Sequence, residues 1–365
     1  MASKITGTVL VVDDTEANID ILVETLGNDY DVQVAMDGET ALESVAELPP
    51  DLILLDIMMP GIDGYEVCRR LKADASTQHI PIIFLTVMTE EQDEARGLAL
   101  GAVDYVTKPF SSDLVKARVH NQLELKHHQD DLEELVRERT RELELTQEVA
   151  IEAMATLAEY RDPETGGHIQ RTKRYVKVLA EHLKDYQKFS DVLDDQVIRM
   201  LYLSAPLHDI GKVAVHDNIL LKPGKLTGEE FEEMKKHTTY GRDAIHSAAQ
   251  KLKGKSFLRY AEEVACSHHE KWDGSGYPEG LKGEAIPVSG RLMAVADVYD
   301  ALISKRVYKP PFSHGKAVAT IAEGRGTHLD PDMVDAFLEV ADRFRDIAIE
   351  FADFEEERSL LLKDE

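Results

Sequence analysis

Ten of the 14 histidines of this 365-residue chain lie at or beyond position 168, and several stand beside acids at spacings that suit metal chelation. Glu164 and His168 are four apart, which places both on one face of a helix. His208 and Asp209 are adjacent, about 100° apart on a helix. Neighbours so placed cannot comfortably hold one small ion, but they reach two ions side by side with the carboxylate between them. His268 and His269 repeat the arrangement, and His237 and Asp297 complete a set of nitrogen and oxygen donors. Imidazole and carboxylate without thiolate favour Fe or Mn, with Ni or Zn as alternatives, over a structural zinc. Two such ions roughly 3.5–4 Å apart can share an oxygen and clamp a phosphodiester for in-line attack. His182, His216, His246, His314 and His328 are expected to be structural or surface residues, and Cys266 a core residue.

A second constellation lies in the first third of the chain. Asp13 and Asp14 follow one apolar run, Asp56 ends another, Thr86 closes a third, and Lys108 follows a fourth. Three converging carboxylates suit Mg²⁺, which takes a few protein oxygens and keeps several waters. With that charge neutralised, one carboxylate can attack a phosphoryl donor and become an acyl phosphate. A hydroxyl and an ammonium nearby would bind the new phosphoryl oxygens.

The elements that must position these groups are legible as patterns. Apolar runs at 8–12, 31–35, 51–55, 81–85 and 103–107 alternate with amphipathic stretches near 15–27, 37–47, 63–72 and 90–99. This predicts a doubly wound, five-stranded parallel sheet, α/β in class, whose ligands bind beyond the carboxyl ends of its strands. Residues 112–160 read as one long helix without Pro or Gly, with Val136, Leu143, Ala150 and Leu157 repeating every seven residues and a weaker seam through Leu125 and Leu132. That is a partial coiled-coil signal, and it slightly favours a homodimer through this linker helix over a lone solvated connector. Beyond residue 150 the chain reads as all-α, with a helix restarting at Asp162-Pro163 and a Pro- and Gly-rich loop at 273–290. The expected organisation is 1–120, a linker helix at 121–150, and 151–365.

Composition narrows the function classes. The net charge of −27, with 8 basic against 22 acidic side chains in residues 1–120, argues against an output domain that grips nucleic acid polymers. No apolar run reaches the roughly 18 residues of a membrane span, the first residues lack a signal-peptide pattern, and two cysteines suit a reducing compartment. The expected location is the cytoplasm, with no membrane partner. An anionic substrate would need a cationic site inside this acidic field. Residues 304–325, with Lys305, Arg306, Lys309, Lys316 and Arg325 against Glu323 alone, are a candidate phosphate clamp, equally readable as a solvated basic loop. Trp272 and Tyr277 are candidates for stacking on a base, although Trp272 better suits pinning its loop.

The segments VLVVDD, DLILLDIMMPGIDGYE, IIFLT and DYVTKPF resemble the signatures of bacterial receiver domains over about residues 6–120. The resemblance implies Asp56 as phosphoacceptor, Asp13, Asp14 and Asp56 around Mg²⁺, Thr86, Tyr105 and Lys108 as switch residues, and a sensor histidine kinase or phosphotransfer protein as partner. Val87 stands where Ala is usual. PETGGH, SAPLHDIGK, MKKHTTYG, CSHHEKWDGSGYP, GRLMAVADVYDAL and THLDP are similar to the HD-GYP family of phosphohydrolases over about residues 150–340. That resemblance implies an all-helical HD-superfamily domain and hydrolysis of cyclic di-GMP to linear pGpG, with GMP as a further product. It implies ligation by His168, His208, Asp209, His237, His268, His269 and Asp297, with Glu164 able to add a third metal to two. Asp209 and Lys212 fall at catalytic positions, and Arg306 and Lys309 at positions that hold substrate phosphate. Leu329 replaces a usual Phe and Gly290 a usual Ala, leaving the ligands intact.

The expected mechanism runs from phosphorylated Asp56 through Thr86 and Tyr105 to the long helix and the metal cleft. Two alternatives remain: an enzyme preferring linear pGpG or a mixed cyclic dinucleotide, and a non-catalytic cyclic di-GMP-binding adaptor that docks a protein partner through the GYP loop.

Overall fold

The structure, a computed structural model, describes residues 7–87, 97–161, 167–251, 256–305 and 310–363. The chain divides into two compact units, Met1–Arg141 and Glu142–Glu365. In the first, β1 (Thr8–Val12), β2 (Asp31–Ala35), β3 (Leu52–Asp56), β4 (Ile82–Thr86) and β5 (Asp104–Thr107) form one parallel sheet in the order β2-β1-β3-β4-β5. Helices α1 (Glu16–Leu26), α2 (Gly38–Glu47) and α3 (Gly64–Ala73) alternate with the strands. The expected helix near 90–99 falls largely outside the described residues.

Alternation along the strands sends side chains to two cores, as a pleat of period two requires. Leu10, Val12, Ile53, Leu55, Ile82 and Phe84 meet α2 and α3 through Ala41, Val45, Val67 and Leu71. Val9, Val11, Leu52, Leu54, Ile83 and Leu85 pack with Ile19, Leu22 and Leu26 of α1 on the other face. Strands β3 and β4 sit one residue later than their apolar runs suggest. Asp51 instead turns its carboxylate to the Thr8 N–H at 2.9 Å, and Pro81 offers only its carbonyl, to Ile53 at 3.0 Å. Asp56 and Thr86 are the last residues of their strands, where the sequence reading places them.

The long helix, α4, runs Ser112–Glu159. Val115, Val119 and Leu123, one every four residues, belong to the core under the sheet. The helix therefore begins as part of the first unit, inside the span expected for the receiver, and Ile151, Ala155 and Ala158 are buried at its other end. Leu125, Leu132, Val136, Leu143 and Leu157 are all exposed.

In the second unit α5 (Gly167–Leu183), α6 (Asp195–Ser204), α7 (Asp217–Leu220), α8 (Gly228–Lys235), α9 (His237–Ala249), α10 (Phe257–Ser267), α11 (Val288–Ile303), α12 (His314–Glu323), α13 (Pro331–Glu350) and α14 (Glu355–Leu361) follow, with 3₁₀ turns at Ala205–Leu207, Ile210–Ala214 and Gly283–Ala285. The predicted restart at Asp162-Pro163 lies outside the described residues. Tyr175 of α5 stacks on Phe344 of α13 at 4.5 Å and meets Tyr299 of α11 edge-on at 5.3 Å, tying three helices around one aromatic centre. Leu329 is buried in the same core, so the smaller side chain keeps the apolar role expected of a Phe there. Among the described residues no helix is long and apolar enough to cross a membrane.

Because Leu123 is fully buried, Leu123→Ala is expected to destabilise the first unit by about 2–5 kcal/mol, read as a shift in its denaturant midpoint. An unchanged midpoint would show that α4 does not complete this core.

Candidate metal centre and phosphoacceptor site

Five elements deliver the histidines and acids of the second unit. His168 lies in the first turn of α5, His208 and Asp209 between the two 3₁₀ turns, His237 at the start of α9, and His268 and His269 just after α10. Gly211 lets the second 3₁₀ turn press on α9: a Cβ there would lie 1.9 Å from the His237 carbonyl oxygen and 2.5 Å from the Gly241 nitrogen. Gly290 does the same between α11 and the end of α10, where a Cβ would meet Ser267 Oγ at 2.1 Å. The glycine that departs from the resembled pattern thus matches the serine before His268.

The ligand atoms converge in two sets that share Asp209. One holds His168, His208 and Asp209, the other Asp209, His237, His268 and His269, each set lying within 4.8 Å. Nδ1 donates to a carbonyl in three rings: His208 to Ala205 at 2.9 Å, His237 to Met234 at 2.8 Å and His268 to Val264 at 2.9 Å. In the neutral rings the lone pair is therefore on Nε2, facing the centre. His168 Nε2 and His208 Nε2 lie 3.2 Å apart, and His237 Nε2 and His268 Nε2 3.5 Å. Acceptors brought this close repel unless a cation lies between them.

Asp209 spans the two sets. Its Oδ2 lies 3.3 Å from His208 Nε2 and 2.8 Å from Lys212 Nζ. Oδ1 lies 3.3 Å from His237 Nε2 and 3.6 Å from His268 Nε2, is buried, and has no hydrogen-bond partner. A buried orphan carboxylate oxygen among imidazole lone pairs is what a divalent cation satisfies, so the residues fit metal binding. Burial opposes ionisation of Asp209, but Lys212 and His208 outweigh it and hold the carboxyl well below its usual range. Burial lowers His237 to about 4 and, aided by the His268 charge, holds His269 well below the usual value. At His208 burial is overcome by the Asp209 carboxylate, and the pKa rises.

The structure brings together six of the eight predicted ligands. Asp297, on α11, is not in either convergent set among the described residues, though its charge reaches His208 and Tyr277. Glu164, Arg306 and Lys309 lie outside the described residues. Of the other basic residues at 304–325, Lys305 pairs with Glu356 at 2.8 Å and Arg325 with Asp335 at 2.6 Å, both at the surface. Tyr277 leans over the His269 ring at 4.9 Å. Arg291 lies 5.9 Å from the Trp272 ring, and the Trp272 backbone N–H donates to the His328 carbonyl at 3.1 Å, which ties its loop to the segment before α13. Cys266 is half-buried beside Arg242, 3.9 Å from its sulfur, and not a core residue, because the polar guanidinium occupies that side of α10.

Three supporting residues escaped the sequence reading. Asp300 accepts from His168 Nδ1 at 2.8 Å and takes a two-pronged bond from Arg171 at 2.6 and 2.9 Å. Burial opposes its ionisation, and Arg171 and His168 outweigh it, so its carboxyl lies far below the usual range. Its signal was the i+3 spacing from Asp297, and that of Arg171 the i+3 spacing from His168. Glu270, buried beside the two histidines, accepts the backbone N–H groups of Glu279, Gly280 and Leu281 at 2.8, 3.1 and 2.9 Å, folding the GYP loop onto the centre. The end of α4 also reaches this region: Ile151 shares an apolar cluster with Leu203 and Leu207, which precedes His208, and Arg161 bonds to the Val213 carbonyl just after Lys212.

In the first unit Asp13, Asp14 and Asp56 also place ligand atoms within 4.8 Å of one another, a set that fits a hard cation. Lys108 Nζ bridges Asp13 and Asp56 at 2.7 and 2.9 Å. Asp13 Oδ1 accepts from the Thr15 N–H and the Asn18 amide at 3.0 and 2.8 Å, leaving Oδ2 to the lysine. Burial raises the Asp56 carboxyl, with Lys108 working against it. Asp14, Asp56, Met58, Val87 and Lys108 line a cleft of about 550 Å³. Thr86 is buried at the end of β4, and half-buried Tyr105 has the Arg118 guanidinium 5.4 Å from its ring.

Asp300→Asn removes the charge that orients His168, so metal affinity is expected to fall about 10–100-fold, measured by chelator competition. Wild-type affinity in a folded variant would exclude Asp300 from that role.

Comparison with known proteins agrees with this two-part geometry. The chain matches the response regulator receiver domain over residues 9–120 and the HD domain over residues 152–333. It is 51% identical to a probable cyclic di-GMP phosphodiesterase of Vibrio cholerae over 95% of this chain and 81% of that one. It is 37% identical to the cyclic di-GMP phosphodiesterase response regulator RpfG of Xanthomonas campestris, over 79% and 75% of the two chains. A cyclic di-GMP phosphodiesterase of Thermotoga maritima is 34% identical over 93% and 92%. The chain therefore belongs to the response regulators in which a receiver domain is followed by an HD domain.

Proposed function

We propose that phosphorylation of Asp56 regulates hydrolysis of cyclic di-GMP to linear pGpG by the HD unit. The observation that carries this reading is Asp209, with one oxygen beside His208 and Lys212 and the other, unsatisfied, beside His237 and His268. That donor set suits two divalent ions, Fe or Mn by its nitrogen and oxygen chemistry, with Glu164 available for a third. Bound there, they would polarise the phosphodiester and make a water nucleophile available at neutral pH.

The chain's own groups do the rest. His168, His208, Asp209, His237, His268 and His269 hold the ions, with Asp297 beside them. The Lys212 ammonium, kept 2.8 Å from Asp209, faces the developing charge and donates a proton toward the leaving ribose oxygen. Arg306 and Lys309 hold phosphate, and Tyr277 contacts a base. In the receiver, Asp13, Asp14 and Asp56 take Mg²⁺, a histidine kinase or phosphotransfer protein supplies the phosphoryl group, and Thr86, Tyr105 and Lys108 respond to it. The ends of α4 are buried in their respective units, so a change in the receiver has a helix through which to act. Its exposed Leu125, Leu132, Val136 and Leu143 suit a homodimer. The GYP loop offers a surface for a protein partner, and the cytoplasm is the proposed location.

Two variants test the reading on anaerobically purified protein. His208→Ala combined with Asp209→Ala is expected to remove bound metal and abolish pGpG formation, by elemental analysis and product chromatography, while Asp56 still accepts label from a small phosphodonor. Undiminished turnover would refute the assignment. Asp56→Asn is expected to abolish that labelling with metal content unchanged, and persistent labelling would require another acceptor.

A further inference from the structure

Helix α8 buries none of its eight residues. A capping box holds its start: the Thr227 hydroxyl accepts from the Glu230 N–H at 3.3 Å, and the Glu230 carboxylate accepts from the Thr227 N–H at 2.7 Å. Lys222 adds an ion pair to Glu230 at 2.5 Å. The helix therefore does not need Phe231 as a core residue, and that ring is 45% exposed.

A single exposed Phe is ordinary; the neighbours of this one are not. Phe231 meets Tyr277 edge-on, with ring centroids 6.2 Å apart and planes at 81°. Tyr277 in turn leans over His269 at 4.9 Å and 36°. An aromatic row thus leads outward from the histidine centre to a half-exposed ring. Lys235, one turn along α8, places its ammonium 5.0 Å from the Phe231 ring centre and 5.5 Å from that of Tyr277. Its contact with Glu232 at 2.6 Å is a surface pair between neighbours on the same helix, and such pairs are worth little.

Resting on the function proposed above, we infer that Phe231 and Lys235 form an outer subsite for one guanine base of the dinucleotide. A cyclic dinucleotide carries its phosphates in the central ring and its bases outside it. A phosphate at the histidine centre leaves one base to run outward past Tyr277, where the aromatic row and the ammonium have the matching chemistry. Phe231 offers a stacking face, as aromatic side chains do for any base. Lys235 offers a cation to the paired O6 and N7 acceptors of guanine, where adenine sets an amino donor beside its N7. The subsite also supplies positive charge within a chain of net charge −27.

The test uses the full-length, metal-loaded protein. Phe231→Ala is expected to raise KM for cyclic di-GMP about tenfold, with kcat, metal content and hydrolysis of methyl p-nitrophenyl phosphate, which carries no base, unchanged. Phe231→Tyr is expected to restore KM and Phe231→Leu to leave it raised, since stacking needs a π face. Lys235→Gln is expected to raise KM about fivefold and to flatten its dependence on salt. An unchanged KM in Phe231→Ala, or a Leu variant equal to wild type, overturns the stacking role. A Lys235→Gln variant with wild-type KM overturns the cationic one. Wild-type protein that never turns over cyclic di-GMP would sink the function itself, which separates that failure from failure of the subsite.

Discussion

The second unit is organised around one buried carboxylate surrounded by groups that do not satisfy it. Asp209 sits among the Nε2 atoms of His208, His237 and His268, which carry the lone pair in the neutral rings because Nδ1 donates to a carbonyl in each. Burying an unpaired charge is expensive, and burying it beside further acceptors more so. Lys212 offsets part of that cost on one oxygen. The other oxygen is left without a partner, and a bound cation would satisfy it. Stability given up at this centre is recoverable as metal affinity.

The surrounding structure keeps that conflict in place. Arg171 and Asp300 lock the His168 ring from behind, and Gly211 lets the 3₁₀ turn bearing Asp209 approach the start of α9. Glu270 uses its carboxylate on three backbone N–H groups, so the loop that brings Tyr277 to His269 is held by the residue next to that histidine. None of these groups needs to touch a substrate to matter. They fix where the lone pairs point.

The receiver solves a similar electrostatic problem with a different scaffold. Parallel strands with both faces covered end together, so Asp13 and Asp56 are adjacent because β1 and β3 are neighbours. Lys108 keeps two of the carboxylates tolerable at 2.7 and 2.9 Å. Phosphorylation of Asp56 would replace the single negative charge of its carboxylate with the roughly −1.5 to −2 of a phosphoryl group, a larger charge for Lys108 to meet.

The sequence by itself determined the elements and the chemistry. Strand runs, the uninterrupted helix from Ser112 and the paired donors His208-Asp209 and His268-His269 are local patterns, set by side-chain period and by which atoms bind metal. Strand starts were off by one where Asp51 and Pro81 occupy polar or donor-free positions that an apolar run does not distinguish. What only the tertiary structure decided is which atoms meet. Asp300 holds His168 across 132 residues and Lys305 pairs with Glu356 across 51, because partners so far apart are chosen by packing and leave no local period to read. Tertiary contacts also set the tautomers, since a lone pair faces the centre only when a particular carbonyl lies behind the ring.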